Sequence, residues 1–246
     1  MTVSRVIPDK IKKLIKMPVK KVCDYICDYN RAILMASVIN KDLEKYKGIY
    51  RGKNVYIVGG GPSIASFDHE KGENDIFIGI NRTFKYEGIE FDILFAQDQL
   101  SEGFDEFLSY RGSACKKFLA VIPSNVEYRI KEYKILGDYE RYVLASRKLK
   151  TVPVDISIEP FADLMGTVFS ALQFAVYTNP DNIYLVGIDC SQGNAFNGHN
   201  DNYSYQLEGW KIMKEALIYM DSYDKVTSIN PVGLKGVFND LYTIRE

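Results

Sequence analysis

The sequence has few of the residues that build metal centres and disulfide frameworks. Its 246 residues include two histidines, His69 and His199, and four cysteines, Cys23, Cys27, Cys115 and Cys190. No two cysteines form a Cys-x-x-Cys pair. Cys23 and Cys27 are four apart and so share a helix face, but no histidine lies near them, which argues against a zinc site. No signal peptide precedes them, and reduced thiols in a cytoplasmic protein are the simplest reading. No apolar run approaches the ~18 residues that a spanning helix needs, so the chain is not expected to be integral to a membrane. Internal repeats and low-complexity segments are also missing.

What is present fits one folded core with an extension. The mass is 28.1 kDa, with 46% hydrophobic and 13% aromatic residues, enough to bury a substantial core without dividing into two equal domains. The net charge of −1 hides an uneven distribution. Residues 1–53 carry 13 Lys/Arg against 5 Asp/Glu, and the remainder carries 18 against 27. A basic arm on an acidic body suggests contact with an anionic surface, either membrane phospholipid or nucleic acid; a solvated helix face is the alternative.

Residues 1–53 are expected to form a basic, amphipathic helical arm. Lys10 to Lys16 alternates basic and apolar residues, and Pro18 should interrupt it. From Val19 onward apolar positions recur at helical spacing, through Val22, Ile26, Ile33, Leu34 and Val38. Residues 54–246 then read as α/β. Strands are expected at Asn54–Val58, Ile76–Ile80, Phe91–Ala96, Phe118–Ile122, Ile183–Val186 and Lys225–Ile229, most of them apolar on both faces as in buried parallel strands. Helices are expected at Thr167–Tyr177 and Tyr205–Met220. The order predicts a Rossmann-like, mostly parallel sheet flanked by helices. Ser124 to Asp163 is the least readable stretch, either a lid or acceptor-binding insertion or an irregular connection.

The most informative run is Val55-Tyr56-Ile57-Val58-Gly59-Gly60-Gly61-Pro62-Ser63, a strand leading into three glycines. Glycine lets a backbone approach a ligand closely, so the turn is expected to leave N–H groups around a small concavity. Ligands of open α/β sheets bind outside the carboxyl ends of the strands. No Gly-Lys-Ser/Thr follows, and Pro62 and Ser63 replace the end of a dinucleotide fingerprint, so neither standard loop applies. A tight structural turn remains the plain alternative. Three further segments follow strands and should reach the same edge. They are Asn81-Arg82-Thr83, Gln97-Asp98-Gln99 and Asp189-Cys190-Ser191-Gln192. Uncharged amides and hydroxyls there suit ribose and base, although each could merely cap a helix.

His199, in the polar loop Asn197 to Tyr203, is the most plausible acid/base residue. His69 stands in a charged run, Asp68 to Lys71, and reads as ordinary surface. Asp98 and Asp189 are the carboxylates best placed for a metal or for ribose hydroxyls. There is no clean Asp-x-Asp, so metal dependence stays open, with a divalent ion not expected to be essential.

The order Gly-x-Gly-Pro-Ser after the first strand, a lone Asn after the second, Ile-Tyr-Leu-x-Gly-Ile-Asp late in the chain, then Gly-His before a helix resembles the bacterial sialyltransferases of glycosyltransferase family 42. It also resembles the Maf-type glycosyltransferase domain and a related pterin pyrophosphokinase. The resemblance covers roughly residues 54–232 and leaves the arm aside. It implies a CMP-activated sugar donor held by Gly59, Gly61, Ser63 and Asn81, with Gln97 or Asp98 where a second asparagine would lie. Gly60, Thr167, Asp189 and Ser191 complete the expected nucleotide-binding set. It further implies that His199 deprotonates an acceptor hydroxyl, which displaces CMP with inversion. Gly60 stands where the family usually has Asn. The tyrosines that grip the leaving phosphate are replaced around Ser191 and Asn194, so the donor departs from the pattern more than the fold does.

The expected partners are thus a nucleotide-sugar donor, a glycan or lipid-linked acceptor and an anionic membrane surface under the arm, with no nucleic acid. A homo-oligomer is allowed, and the expected location is the cytoplasm, peripheral to the inner membrane face. Two other readings remain. One is an ATP/Mg²⁺ pyrophosphokinase-type phosphotransferase with Asp98 and Asp189 as ligands. The other is a non-catalytic nucleotide-binding or assembly module whose arm mediates oligomerisation through Cys23, Ile26 and Leu34.

Overall fold

The structure, a computed structural model, describes residues 19–97, 103–123, 139–147, 150–191 and 204–243. Its centre is a parallel sheet of eight strands: β1 (Asn54–Val58), β2 (Asp75–Ile80), β3 (Ile93–Ala96), β4 (Lys116–Val121), β5 (Glu140–Val143), β6 (Asn182–Val186), β7 (Val226–Ile229) and β8 (Asn239–Leu241). Their order is β5-β4-β3-β2-β1-β6-β7-β8, and every pairing among the described strands is parallel. The α/β, Rossmann-like fold expected from the sequence is therefore present. Helices α1 (Val19–Ile39), α2 (Phe104–Ser109), α3 (Thr167–Thr178) and α4 (Leu207–Tyr219) complete it.

The central strands are legible because both of their faces are buried, and period-two alternation sends successive residues to opposite cores. Val55, Ile57, Ile78, Phe95, Phe118 and Tyr142 face a core built with α3 and α4. Tyr56, Val58, Phe77, Leu94 and Leu119 face a second core built with α2. Helix α3 is buried along almost its whole length. Its Phe174 ring lies 4.8 Å from Phe118 and 5.4 Å from Phe95, and those two rings stack at 4.6 Å. Asn179, in the left-handed conformation, ends the helix, a position asparagine tolerates better than most residues.

β3 starts two residues later than the sequence suggests. The Phe91 N–H donates to the Tyr110 hydroxyl and its carbonyl accepts from Arg111, so the backbone of this apolar residue is diverted from the ladder. β5 and β8 were not anticipated. β5 has only four residues, two of them charged, and all three residues of β8 are exposed.

The expected arm is packed onto the sheet from Ala32 onward. Ala32 and Ala36 are fully buried, Ala36 against Val121 and Val143 at the carboxyl ends of β4 and β5. Asn40 then donates to the carbonyls of Ile156 and Glu159 and accepts the Val143 N–H. Leu43 and Tyr46 belong to the main core. Among the described residues no helix is long and apolar enough to cross a membrane.

Two ion pairs fasten this segment, Lys45 with Glu140 and Lys47 with Asp155, and the second carries a test. Lys47 Nζ lies 2.7 Å from Asp155 Oδ2, and Asp155 also accepts from the Ser157 hydroxyl and N–H. Partial burial pushes the Asp155 carboxyl up, but Lys47 and Ser157 outweigh it and hold it at about 2, below its ordinary 3.8. A depressed folded-state pKa contributes stability above the unfolded value that disappears as pH falls through the folded one. The stability gap between wild type and Asp155→Asn should therefore close as pH drops from 3.8 towards about 2. Urea midpoints across that window check it, and a constant gap refutes it.

Candidate functional site

The strand order fixes where to look. Strands β1 to β5 run outward in one direction and β6 to β8 in the other, so the chain reverses between β1 and β6. The crevice at the carboxyl ends of that pair is where open α/β sheets take ligands.

The glycine turn sits there, with much of its backbone already engaged. The Gly59 N–H donates to the Val186 carbonyl and the Gly61 N–H to the Gly187 carbonyl, both at 2.8 Å. Asp189 takes the Ser63 N–H at 2.9 Å and accepts the Ser63 hydroxyl on its other oxygen. Gly61 and Ser63 thus point N–H groups into the continuation of β6, and the open cradle expected of the turn is narrower than the sequence suggested. Both glycines exist for this approach. A Cβ on Gly59 would lie 2.7 Å from the Gly187 oxygen, and one on Gly61 would lie 2.6 Å from Asp189 Oδ2. Gly60 lies half-buried between them. Asp189 is itself buried, so its carboxylate works first as a clasp for the short helix Pro62–Ser66.

A second group forms around the N-terminus of α3. Asn81, in the left-handed conformation after β2, accepts the Thr167 hydroxyl at 2.9 Å. Gln97, at the end of β3, donates to the Gly166 carbonyl and the Ser170 hydroxyl, each at 3.2 Å. The structure thus brings together Asn81, Gln97 and Thr167, three residues far apart in sequence. Ser170, Gly166 and Gln206 were not singled out beforehand. Gln206 donates to the Met165 carbonyl and packs where a side chain on Gly166 would stand. Gln173 holds this loop to α3 by bonding both backbone groups of Ala162. A lone glycine before a helix is too common a signal to have revealed the arrangement.

Ser191 is half-buried after Cys190. The Trp210 indole N–H donates to Cys190 Sγ at 2.9 Å. Burial pushes the Cys190 thiol up to about 11 against the opposing Trp210 bond, which keeps it a neutral packing group rather than a nucleophile. Among the described residues, Cys27, Cys115 and Cys190 are free thiols. His199 and Asp98 lie outside the described residues.

Backbone strain gathers at this edge. The described non-glycine residues with positive φ fall into two sets. Arg111, Asn179 and Asp221 follow helices, where such turns are ordinary. Asn81, Met165, Cys190 and Asn230 line the carboxyl side of the sheet. Left-handed backbone in a Met or Cys costs about 1–2 kcal/mol, and strain of this kind clusters at functional sites.

His69 is exposed, as its charged run suggested, but one side of it is engaged. Its ring stacks on Tyr56 at 4.8 Å, and Nε2 lies 2.8 Å from the buried Asp75. Burial pushes the Asp75 carboxyl up, but Asn54, His69 and the Gly72 N–H together bring it below its ordinary value. Asp75 opens β2, so this pair stands at the amino edge of the sheet, opposite the crevice.

No protein-family model matches the sequence, and no curated protein matches it either. Among solved structures, the fold is similar to the Maf glycosyltransferase from Magnetospirillum magneticum AMB-1, at 13% identity and a TM-score of 0.48. That match covers 85% of this chain, which spans 38% of the other protein's length. It is also similar to the sialyltransferase CstII from Campylobacter jejuni in complex with a substrate analogue, CMP-3FNeuAc. There the identity is 14%, the coverage 77% of this chain and 85% of that one, and the TM-score 0.43. A variant of the sialyltransferase CST-II in complex with CMP is similar at 12% identity, 72% and 81% coverage and a TM-score of 0.42.

Proposed function

We propose that the chain is an inverting glycosyltransferase that takes its sugar from a nucleotide donor, with CMP as the leaving group. The observation that carries this reading is the convergence of uncharged hydrogen-bonding groups on one edge. Asn81, Gln97 and Thr167 meet at the N-terminus of α3, close in the sheet to the crevice shaped by Gly59, Gly61, Ser63 and Asp189. Amides and hydroxyls suit ribose and a pyrimidine base, and the positive end of a twelve-residue helix suits phosphate. The site is then divided in two. The nucleotide takes the turn and the start of α3, and His199 is assigned to the acceptor, a glycan or a lipid-linked glycan. The acceptor hydroxyl gives its proton to His199, its oxygen bonds to the anomeric carbon, and the bond from that carbon to the phosphate oxygen breaks, releasing CMP. No step requires a divalent metal.

Melting curves with CMP, CDP, UDP, ADP and ATP, each with and without Mg²⁺, test the donor. CMP without metal is expected to raise the melting temperature by several degrees at saturating concentration, since a ligand bound only to the folded state stabilises it by mass action. A rise only with ATP and Mg²⁺ would sink the proposal in favour of phosphoryl transfer. No rise with any nucleotide, together with a defined oligomer, would point to a non-catalytic assembly module.

A further inference from the structure

Of the left-handed residues at the carboxyl side of the sheet, Asn81 and Asn230 are asparagines, which visit that region readily. Met165, with a φ of 73°, and Cys190, with a φ of 47°, do not share that excuse. Such residues persist only where their surroundings hold them, and one side chain touches both. Gln206, directly ahead of α4, donates through Nε2 to the Met165 carbonyl at 3.2 Å. Its Oε1 accepts from the Cys190 thiol, a weak donor, at 3.8 Å. The Trp210 indole, one turn later in the chain, donates to the same Sγ at 2.9 Å. Gly166 shows how closely the Gln206 amide is seated. Its φ of 178° is extended backbone open to any residue, so conformation does not call for glycine there. Space does, because a Cβ would lie 2.6 Å from Gln206 Nε2 and 3.3 Å from its Cδ. The Gly166 carbonyl meanwhile accepts from Gln97. Glutamines from the end of β3 and the start of α4 thus grip the residue that opens α3.

We propose that Gln206 is a positioning residue for the nucleotide, a brace that sets the start of α3 against the carboxyl end of β6. Its two anchors flank the groups assigned to the donor. Thr167, bonded to Asn81, follows Met165 by two residues, and Asp189, the clasp of Ser63, directly precedes Cys190. A nucleotide that spans both elements binds best when they are already in place, since less ordering then accompanies binding. Without the brace, the apparent affinity falls in proportion to the fraction of chains that hold the competent arrangement. The identity of the nucleotide rests on the glycosyl-transfer reading, whereas the brace itself rests on the contacts of Gln206.

Gly166→Ala and Gln206→Ala in the full chain test it, with CMP binding followed by titration calorimetry. The alanine methyl at Gly166 meets the far end of a flexible side chain and, at an ordinary 3.7 Å, Phe169. Gln206 can swing aside, so the melting temperature should stay within about 2 °C of wild type. The CMP dissociation constant and the donor KM should each rise about ten-fold, with kcat at saturating donor within about two-fold of wild type. Gln206→Ala should match this, and so should Gln206→Glu, which keeps the size but has no N–H for the Met165 carbonyl. The double variant should be no worse than Gln206→Ala alone, because the methyl then has nothing to displace. Wild-type CMP affinity in Gln206→Ala would overturn the proposal. Additive losses in the double variant would also overturn it, as would an affinity loss that merely accompanies early melting. Binding of ATP with Mg²⁺ in place of CMP would defeat the glycosyl-transfer reading, and the same variants titrated with ATP would then judge the brace. A wild-type chain that binds no nucleotide would end both.

Discussion

His199→Ala is expected to reduce turnover by about 10²–10⁴-fold, the range over which a positioned general base acts, while the CMP-induced rise in melting temperature survives. The two readouts separate because the proposed site is divided. The groups assigned to the nucleotide come from the ends of β1, β2, β3 and β6 and from the start of α3, and none of them is the histidine. Removing a base used only in the transition state lowers kcat and leaves KM for the donor nearly unchanged. His199→Gln, which keeps polarity without the base, should behave like the alanine variant. Unchanged turnover would remove His199 from the mechanism. Loss of both turnover and the CMP response would move it to the nucleotide side of the site.

The sheet was legible because β-branched and aromatic runs such as Val55 to Val58 and Ile76 to Ile80 have no amphipathic signature and must be buried on both faces. β5 escaped notice because Glu140-Arg141-Tyr142-Val143 has one charged half. β8 escaped because Asn239-Asp240-Leu241 buries nothing. The candidate site was legible as an edge and not as a set of contacts. Asparagine, glutamine and aspartate after successive strands mark the carboxyl side, yet Ser63 meets Asp189 across 126 positions and Asn81 meets Thr167 across 86. Pairings of that separation depend on strand order, which period and propensity do not determine. The same reason hid the contacts of His69, which is exposed as its charged neighbours suggest and still lays its ring across Tyr56.

Gly61→Ala is expected to destabilise the fold by about 2–3 kcal/mol, the cost of forcing an extra methyl into a packed site. Backbone strain plays no part, since Gly61 has an ordinary φ of −70°, so the effect is steric. The new methyl would stand 2.6 Å from Asp189 Cγ and 2.7 Å from the Gly187 oxygen. Neither neighbour is free to retreat. The Gly187 carbonyl already accepts the Gly61 N–H, the Asp189 carboxylate is held by both groups of Ser63, and its carbonyl takes the Gly233 N–H. Relief requires β1 and β6 to part at their carboxyl ends, which widens the crevice where the nucleotide is placed. The CMP response should vanish together with the stability. Ser63→Ala, which keeps the N–H bond and gives up only the hydroxyl's bond to a carboxylate, should cost about 1.5–3 kcal/mol and retain part of that response. Urea unfolding with and without CMP distinguishes the cases. Wild-type stability in Gly61→Ala would refute the clasp. A variant that unfolds early yet still answers to CMP would make the glycine a packing residue and place the nucleotide elsewhere along the edge.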